Sequence, residues 1–308
     1  MRALVTGGGG FVGSHLVARL QQDGHDVFVA RRAGYDLTRE EDTVRLFREA
    51  QPEVVFHLAA EVGGIGANRA NPGRYWYANL LMGAHVLKAA RSAGVRKLVL
   101  AGTVCAYPKF APIPFREDDL WNGFPEETNA PYGVAKKSVL VGAQAYRDQY
   151  GLSSIFLLPA NLYGPGDNFH ETNAHVIADL IRKMAAGDDE VVLWGDGSPT
   201  REFLYVEDCV DGFVLAAERY DGPEPVNLGA GKEISIRELA ELVADVVDYR
   251  GKIVWDRSMP NGQPRRSVDA TRARELFGFE AKTPLREGLE RTYAWYREHT
   301  GAVAGAQA

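Results

Sequence analysis

The chain has 308 residues, 45% of them apolar and 25% charged, with a formal net charge of −6 and two cysteines, Cys105 and Cys209. The length suits one large α/β domain, alone or carrying a smaller one, and the apolar content excludes a disordered chain. The acidic balance argues against nucleic acid and anionic membrane as partners, while so few cysteines exclude a disulfide scaffold and suit a reducing, cytoplasmic setting.

The predicted elements alternate through the first half. Strands are expected over residues 3–6, 27–30, 54–58, 97–102 and 154–159. Helices are expected over 11–22, 42–49, 74–93 and 132–150. Short apolar runs separated by amphipathic helices imply a parallel sheet covered on both faces, a doubly wound fold of the Rossmann type. The second half has Gly/Pro-rich loops at 163–168, 195–199, 221–225 and 260–264, with helices over 174–186, 206–218, 236–247 and 285–297. It reads as a smaller α+β substrate-binding lobe. Residues 1–165 form the expected dinucleotide-binding domain, with returns to the sheet around 200–230. Residues 166–300 form most of the lobe, and 301–308 a frayed tail. No signal-peptide pattern or membrane-length apolar run is present, so a soluble protein is expected.

The segment TGGGGFVG, residues 6–13, joins the first strand to the first helix. Gly7, Gly10 and Gly13 let the backbone turn tightly and approach a pyrophosphate, and the helix start offers free N–H groups to it. The second strand ends at Arg31 and Arg32 rather than at an acid. Two guanidiniums suit the 2′-phosphate of NADP(H), with NAD(H) disfavoured. Asp36 follows, within reach of an adenine amino group. Tyr132 and Lys136 stand four residues apart on one helix face, where the ammonium is expected to favour the phenolate. Thr103 lies at the carboxyl end of the fourth strand, where open α/β sheets bind ligands. Trp194 suits either nucleobase stacking or a core, and Cys209 suits packing.

These residues resemble the extended short-chain dehydrogenase/reductase family of NAD-dependent nucleotide-sugar epimerases, dehydratases and reductases. The resemblance rests on TGGGGFVG, His57-Leu58-Ala59-Ala60, Asn79 and YGVAK at 132–136, and spans residues 1–297. It implies a triad of Thr103, Tyr132 and Lys136, with threonine replacing the usual serine. It also implies dinucleotide contacts from Phe11, Val12, Leu58, Ala59, Ala60, Asn79, Pro159, Asn161, Leu162 and His175. The segments AEVGGI at 60–65, CAYPK at 105–109 and NAHVI at 173–177 resemble one branch more specifically. That branch epimerises C3″ and C5″ of GDP-4-keto-6-deoxy-D-mannose and reduces its C4″ ketone with NADPH, forming GDP-L-fucose.

Within that resemblance Cys105 and His175 match the base and acid of the epimerisations, and Lys183, Arg201, Arg265 and Arg266 surround the nucleotide diphosphate. No metal is implied. Relatives pair two long helices across a two-fold axis, which implies a homodimer here through Tyr75, Tyr77, Leu80, Leu81, Val86 and Leu87 with Val139, Leu140, Ala143 and Tyr146; burial inside the chain is the alternative. Two other functions fit the residues: a ketoreductase or epimerase of a dTDP- or UDP-linked 6-deoxy sugar, and a catalytically silent dinucleotide-binding regulator.

Overall fold

The structure, a computed structural model, describes residues 1–63, 65–171, 174–259, 261 and 263–305. Gly64, Asn173, Pro260 and Gly262, which belong to the motifs and the loop above, and the tail residues 306–308 lie outside the described residues.

The first half runs β1 (Arg2–Thr6), α1 (Phe11–Gln22), β2 (Asp26–Ala30), α2 (Glu40–Ala50), β3 (Val54–His57), α3 (Ile65–Ala70), α4 (Pro72–Ser92), β4 (Lys97–Ala101), α5 (Ala130–Tyr150) and β5 (Ser154–Pro159). The second half runs β6 (Asn161–Tyr163), α6 (Val176–Ala185), β7 (Glu190–Trp194), β8 (Thr200–Tyr205), α7 (Val206–Arg219), β9 (Val226–Leu228), β10 (Glu233–Ser235), α8 (Ile236–Val247), β11 (Lys252–Asp256), β12 (Arg265–Arg266), α9 (Thr271–Phe277) and α10 (Leu285–Gly305).

β3 is buried at every position, and so is all of β5 before Pro159, as strands covered on both faces should be. Six strands form one parallel sheet in the order β2-β1-β3-β4-β5-β9. β1 lies between β2 and β3, so the chain reverses its direction of travel across the sheet there. Such a switch point opens a crevice at the carboxyl ends of the strands. A second, mixed sheet joins β10, β8 and β12 with β6 alongside β8, and β11 pairs with β7.

Helix ends differ from expectation by a few residues, for local reasons. Pro72 and Pro131 each occupy the first turn of their helix, where a missing N–H costs nothing, so α4 and α5 begin earlier than periodicity suggests. α8 starts as expected because Ser235 and Glu238 form a capping box. The backbone of α10 continues to Gly305, beyond the expected end at residue 297 and through most of the stretch expected to fray.

Two apolar cores result. One packs the six-stranded sheet against its helices and includes Cys209, Val210 and Phe213 of α7. The other joins α6, α8 and α10 through Ile177, Leu180, Val243 and Leu289. Cys209 is fully buried, as a packing residue should be. Val86, Leu87, Val139, Leu140 and Ala143, expected at an interface between chains, are instead buried within this one. The reason is the close packing of α4 on α5, where a Cβ on Gly83 would stand 2.2 Å from Val139 Cγ2. The exposed large apolar side chains of these helices are Trp76, Tyr77, Val141 and Tyr150. Among the described residues no helix is long and apolar enough to cross a membrane.

Gly83→Ala therefore overpacks the contact between α4 and α5. It should cost about 1–3 kcal/mol of stability in a denaturant titration; an unchanged midpoint would contradict this packing.

Candidate active site

The turn from β1 to α1 is shaped by absent side chains. Gly7 has a φ of +73°, and a Cβ there would lie 2.7 Å from the Ala59 nitrogen. A Cβ on Gly13 would lie 2.1 Å from the Gly7 carbonyl oxygen, while the Gly10 N–H donates to that oxygen at 2.9 Å. No side chain caps α1 at Gly10. The first N–H groups of the helix are thus left to an anion, and the bare loop fits a pyrophosphate.

This turn forms one end of a cleft of about 1620 Å³ that runs along the strand ends to the second core. Pockets for drug-sized ligands measure roughly 300–1,000 Å³, so this cleft exceeds what one such ligand needs. Phe11, Val12, Leu58, Ala59, Ala60, Pro159 and Leu162 line it as expected. Asn161 lines it too and ties β6 to β8 by donating to the Glu202 carbonyl at 2.8 Å. Asp36 is on the wall, but Oδ1 of its carboxylate accepts from the Thr38 N–H at 3.0 Å and hydroxyl at 2.7 Å. Those bonds hold it below the usual carboxylate range.

Arg32 lines the cleft and pairs with Glu61 at 2.8 Å. Arg31 does not line it; a guanidinium nitrogen of Arg31 lies 3.6 Å from where a Cβ on Gly9 would be, beside the glycine loop. Asn79 is also off the wall. Its amide donates to the Glu61 carbonyl at 2.8 Å and accepts from the Glu61 N–H at 3.1 Å, so it fixes the loop after β3.

Tyr132, in the first turn of α5, and Lys136 are both buried. Lys136 Nζ donates to the Ala101 carbonyl at 2.9 Å and lies 5.9 Å from the Tyr132 ring centroid. Burial pulls Lys136 down to about 8. Burial also pushes Tyr132 well up, with Cys105 adding to the rise and a hydrogen bond with Thr103 opposing it. Desolvation thus works against the phenolate at Tyr132. His57, not singled out as a site residue by sequence, sits beneath the pair with Nδ1 2.8 Å from Thr6 Oγ1. Burial, aided by the Lys136 charge, lowers it to about 3 and keeps it neutral.

Thr103 Oγ1 accepts the Cys105 N–H at 3.1 Å, which caps a short 3-10 turn over Val104–Ala106. A Cβ on Gly133 would lie 2.5 Å from the Cys105 carbonyl oxygen, so the glycine after Tyr132 allows α5 to press against this turn. Cys105 Sγ has Arg266 Nη1 at 3.7 Å. His175 precedes α6, and its Nδ1 lies 3.4 Å from Asp167 Oδ1. Asp167 is almost fully buried, and its Oδ2 has no hydrogen-bond partner among the described residues. The hydrogen bond with Asp167 raises His175 against the opposing effect of burial. Asp167 is a residue that spacing did not reveal, although it stands within the GDNFH run.

Lys183, Trp194, Arg201, Arg265 and Arg266 all reach the cleft. Trp194 is 64% exposed and therefore no core residue. Arg265 is held by Glu233 through two contacts of 3.1 and 2.5 Å, and Lys183 by Asp179 at 2.7 Å. Arg201 and Arg266 have no carboxylate partner among the described residues. Burial, reinforced by the charge of Arg266, lowers Arg201 to about 10. Two crowded cations of this kind make an anion site.

Residues 3–229 match the NAD dependent epimerase/dehydratase family. The chain is 44% identical over 300 residues to GDP-L-fucose synthase 1 of Arabidopsis thaliana, covering 96% of this chain and 93% of that protein. It is 37% identical over 318 residues to GDP-L-fucose synthase of Escherichia coli K12, covering 99% of each. Its fold is similar to that of a GDP-L-fucose synthetase from Naegleria fowleri bound to NADP, with a TM-score of 0.89, 25% identity, and coverage of 97% of this chain and 94% of that one. A GDP-6-OMe-4-keto-L-xylo-heptose reductase from C. jejuni gives a TM-score of 0.91 at 27% identity, covering 96% and 97%.

Because His175 is raised by its carboxylate, the pair stabilises the fold fully below the unfolded histidine value of about 6.5 and loses that contribution as pH rises through the folded value. Asp167→Asn should move the imidazole titration of His175, followed by NMR, to lower pH. A titration that stays in place would contradict the pairing.

Proposed function

The chain belongs to the NAD dependent epimerase/dehydratase family, and from that premise we propose that it converts GDP-4-keto-6-deoxy-D-mannose to GDP-L-fucose with NADP(H). The observation that carries this reading is the meeting of Cys105, Tyr132 and His175 in one cleft, in a chain that matches proteins named GDP-L-fucose synthase over nearly its full length.

When bound, the dinucleotide supplies hydride to C4″. Everything else falls to side chains. Protons at C3″ and C5″ are acidic because each carbon adjoins the ketone. Cys105, with the Arg266 guanidinium 3.7 Å from its sulfur, removes one, and His175 returns one on the opposite face. Tyr132 hydrogen-bonds the enolate oxygen during each exchange and finally gives its proton to the C4″ alkoxide. Its raised proton affinity suits both tasks. Thr103, whose oxygen accepts the Cys105 N–H, hydrogen-bonds Tyr132 and so orients the tyrosine hydroxyl toward the C4″ oxygen. Lys136, fixed by Ala101, orients the dinucleotide and restores the Tyr132 proton.

Arg201 and Arg266 take the diphosphate, with Lys183 and Arg265 as outer charges and Trp194 against the base. Arg31 beside the glycine loop and Arg32 on the wall favour the 2′-phosphate of NADP(H). The exposed apolar side chains of Trp76 and Tyr77 on α4 and Val141 and Tyr150 on α5 support an isologous homodimer. Two free cysteines suit a cytoplasmic enzyme.

Tyr132→Phe should lower kcat for NADPH oxidation with this ketosugar by about 10²–10⁴-fold and leave NADPH binding intact. A wild-type protein that oxidises no NADPH with the GDP-ketosugar would contradict the assignment. Sedimentation should give a two-chain mass, reduced to one chain by Tyr77→Asp with Val141→Asp; a monomeric wild type would contradict the dimer.

A further inference from the structure

The carboxylate of Glu61 has a setting that the reaction above does not use. It is mostly buried, with its side chain 13% exposed, yet it takes two cations. Arg32 reaches Oε1 at 2.8 Å. Arg74 of α4 reaches Oε2 at 2.6 Å and Oε1 at 3.4 Å. The backbone of Glu61 is held at both its N–H and its carbonyl by the single side chain of Asn79. Glu61 is therefore anchored, and the two arginines, 65% and 61% exposed, come to it.

We propose that Glu61 sets the balance between NADPH and NADH, by acting as an internal counter-ion to Arg32 at the edge of the adenosine site. This rests on the dinucleotide reading of the cleft. A 2′-phosphate carries close to two negative charges near neutral pH, and a ribose hydroxyl carries none. To use Arg32, the phosphate must share it with a mostly buried carboxylate whose backbone Asn79 holds at both its N–H and its carbonyl. A 2′-hydroxyl meets no such opposition and is itself a donor that a carboxylate accepts. Glu61 thus penalises NADPH selectively and brings the two dinucleotides closer in affinity than Arg31 and Arg32 alone would set them.

The test is direct binding of NADPH and of NADH to the whole protein, by calorimetry or quenching of tryptophan fluorescence, without substrate. Glu61→Gln keeps a polar side chain of the same shape for Arg74. It should tighten NADPH about three- to tenfold, a modest factor because the ion pair is exposed on its Arg32 side. NADH should stay within about twofold, since it carries no phosphate there. Adding Arg32→Gln should abolish the gain. NADPH binding that does not tighten, or NADH binding that tightens equally, would overturn the proposal. A wild-type protein that binds neither dinucleotide would overturn the dinucleotide reading itself and this proposal with it. That outcome is distinct from the first two, in which both affinities are measurable. Matching melting curves for wild type and Glu61→Gln separate a binding effect from loss of fold.

Discussion

The site is organised around a buried cation. Lys136 lies in the interior with its ammonium held by the carbonyl of Ala101, the last residue of β4. An unpaired buried charge is expensive, so this bond fixes where α5 sits on the sheet. From that position Tyr132 stands one turn earlier on the same face, and Gly133 lets the helix press on the turn that carries Cys105. His57, kept neutral by burial and by the Lys136 charge, adds no second cation to this interior. The same burial that weakens Lys136 strengthens Tyr132 as a proton holder, and both effects suit a group that must deliver a proton at the end of a reduction.

Electrostatics elsewhere in the cleft divide its arginines by their partners. The chain is acidic in total, yet among the described residues Arg201 and Arg266 meet without a neutralising carboxylate while Arg265 is occupied by Glu233. Glu233 is itself drawn down to about 2, first by that pairing. The result is a cationic focus inside an acidic protein, where a small phosphorylated ligand gains from low dielectric and a polyanion gains nothing from the outer surface.

Much of this was legible in the sequence. The runs at β3 and β5 are apolar enough to read as buried parallel strands, and the capping box of α8 marks its start. The Tyr132–Lys136 spacing and the glycine loop point to the correct end of the sheet. Strands β6, β9, β10 and β12 are only two or three residues long and pair with distant partners, so no local period reveals them. Arg265 and Arg266 both reach the cleft, and only the fold shows that Arg265 is occupied by Glu233 while Arg266 lies beside Cys105. Asp167 and Glu61 are ordinary acids in a one-dimensional view, and only the fold shows the histidine and the arginines they hold. The burial that raises the proton affinity of Tyr132 leaves no mark in any sequence pattern.

What sets the proposed reaction apart is that one cleft exchanges two carbon-bound protons before a ketone is reduced. Its most direct test is to run the reaction on GDP-4-keto-6-deoxy-D-mannose with NADPH in deuterium oxide and locate the label by NMR. Solvent deuterium is expected at both C3″ and C5″ of the reduced sugar, in the L-configured product. A reduced sugar that carries protium at both positions would contradict it, and would leave a ketoreductase in which Cys105 and His175 move no proton to carbon.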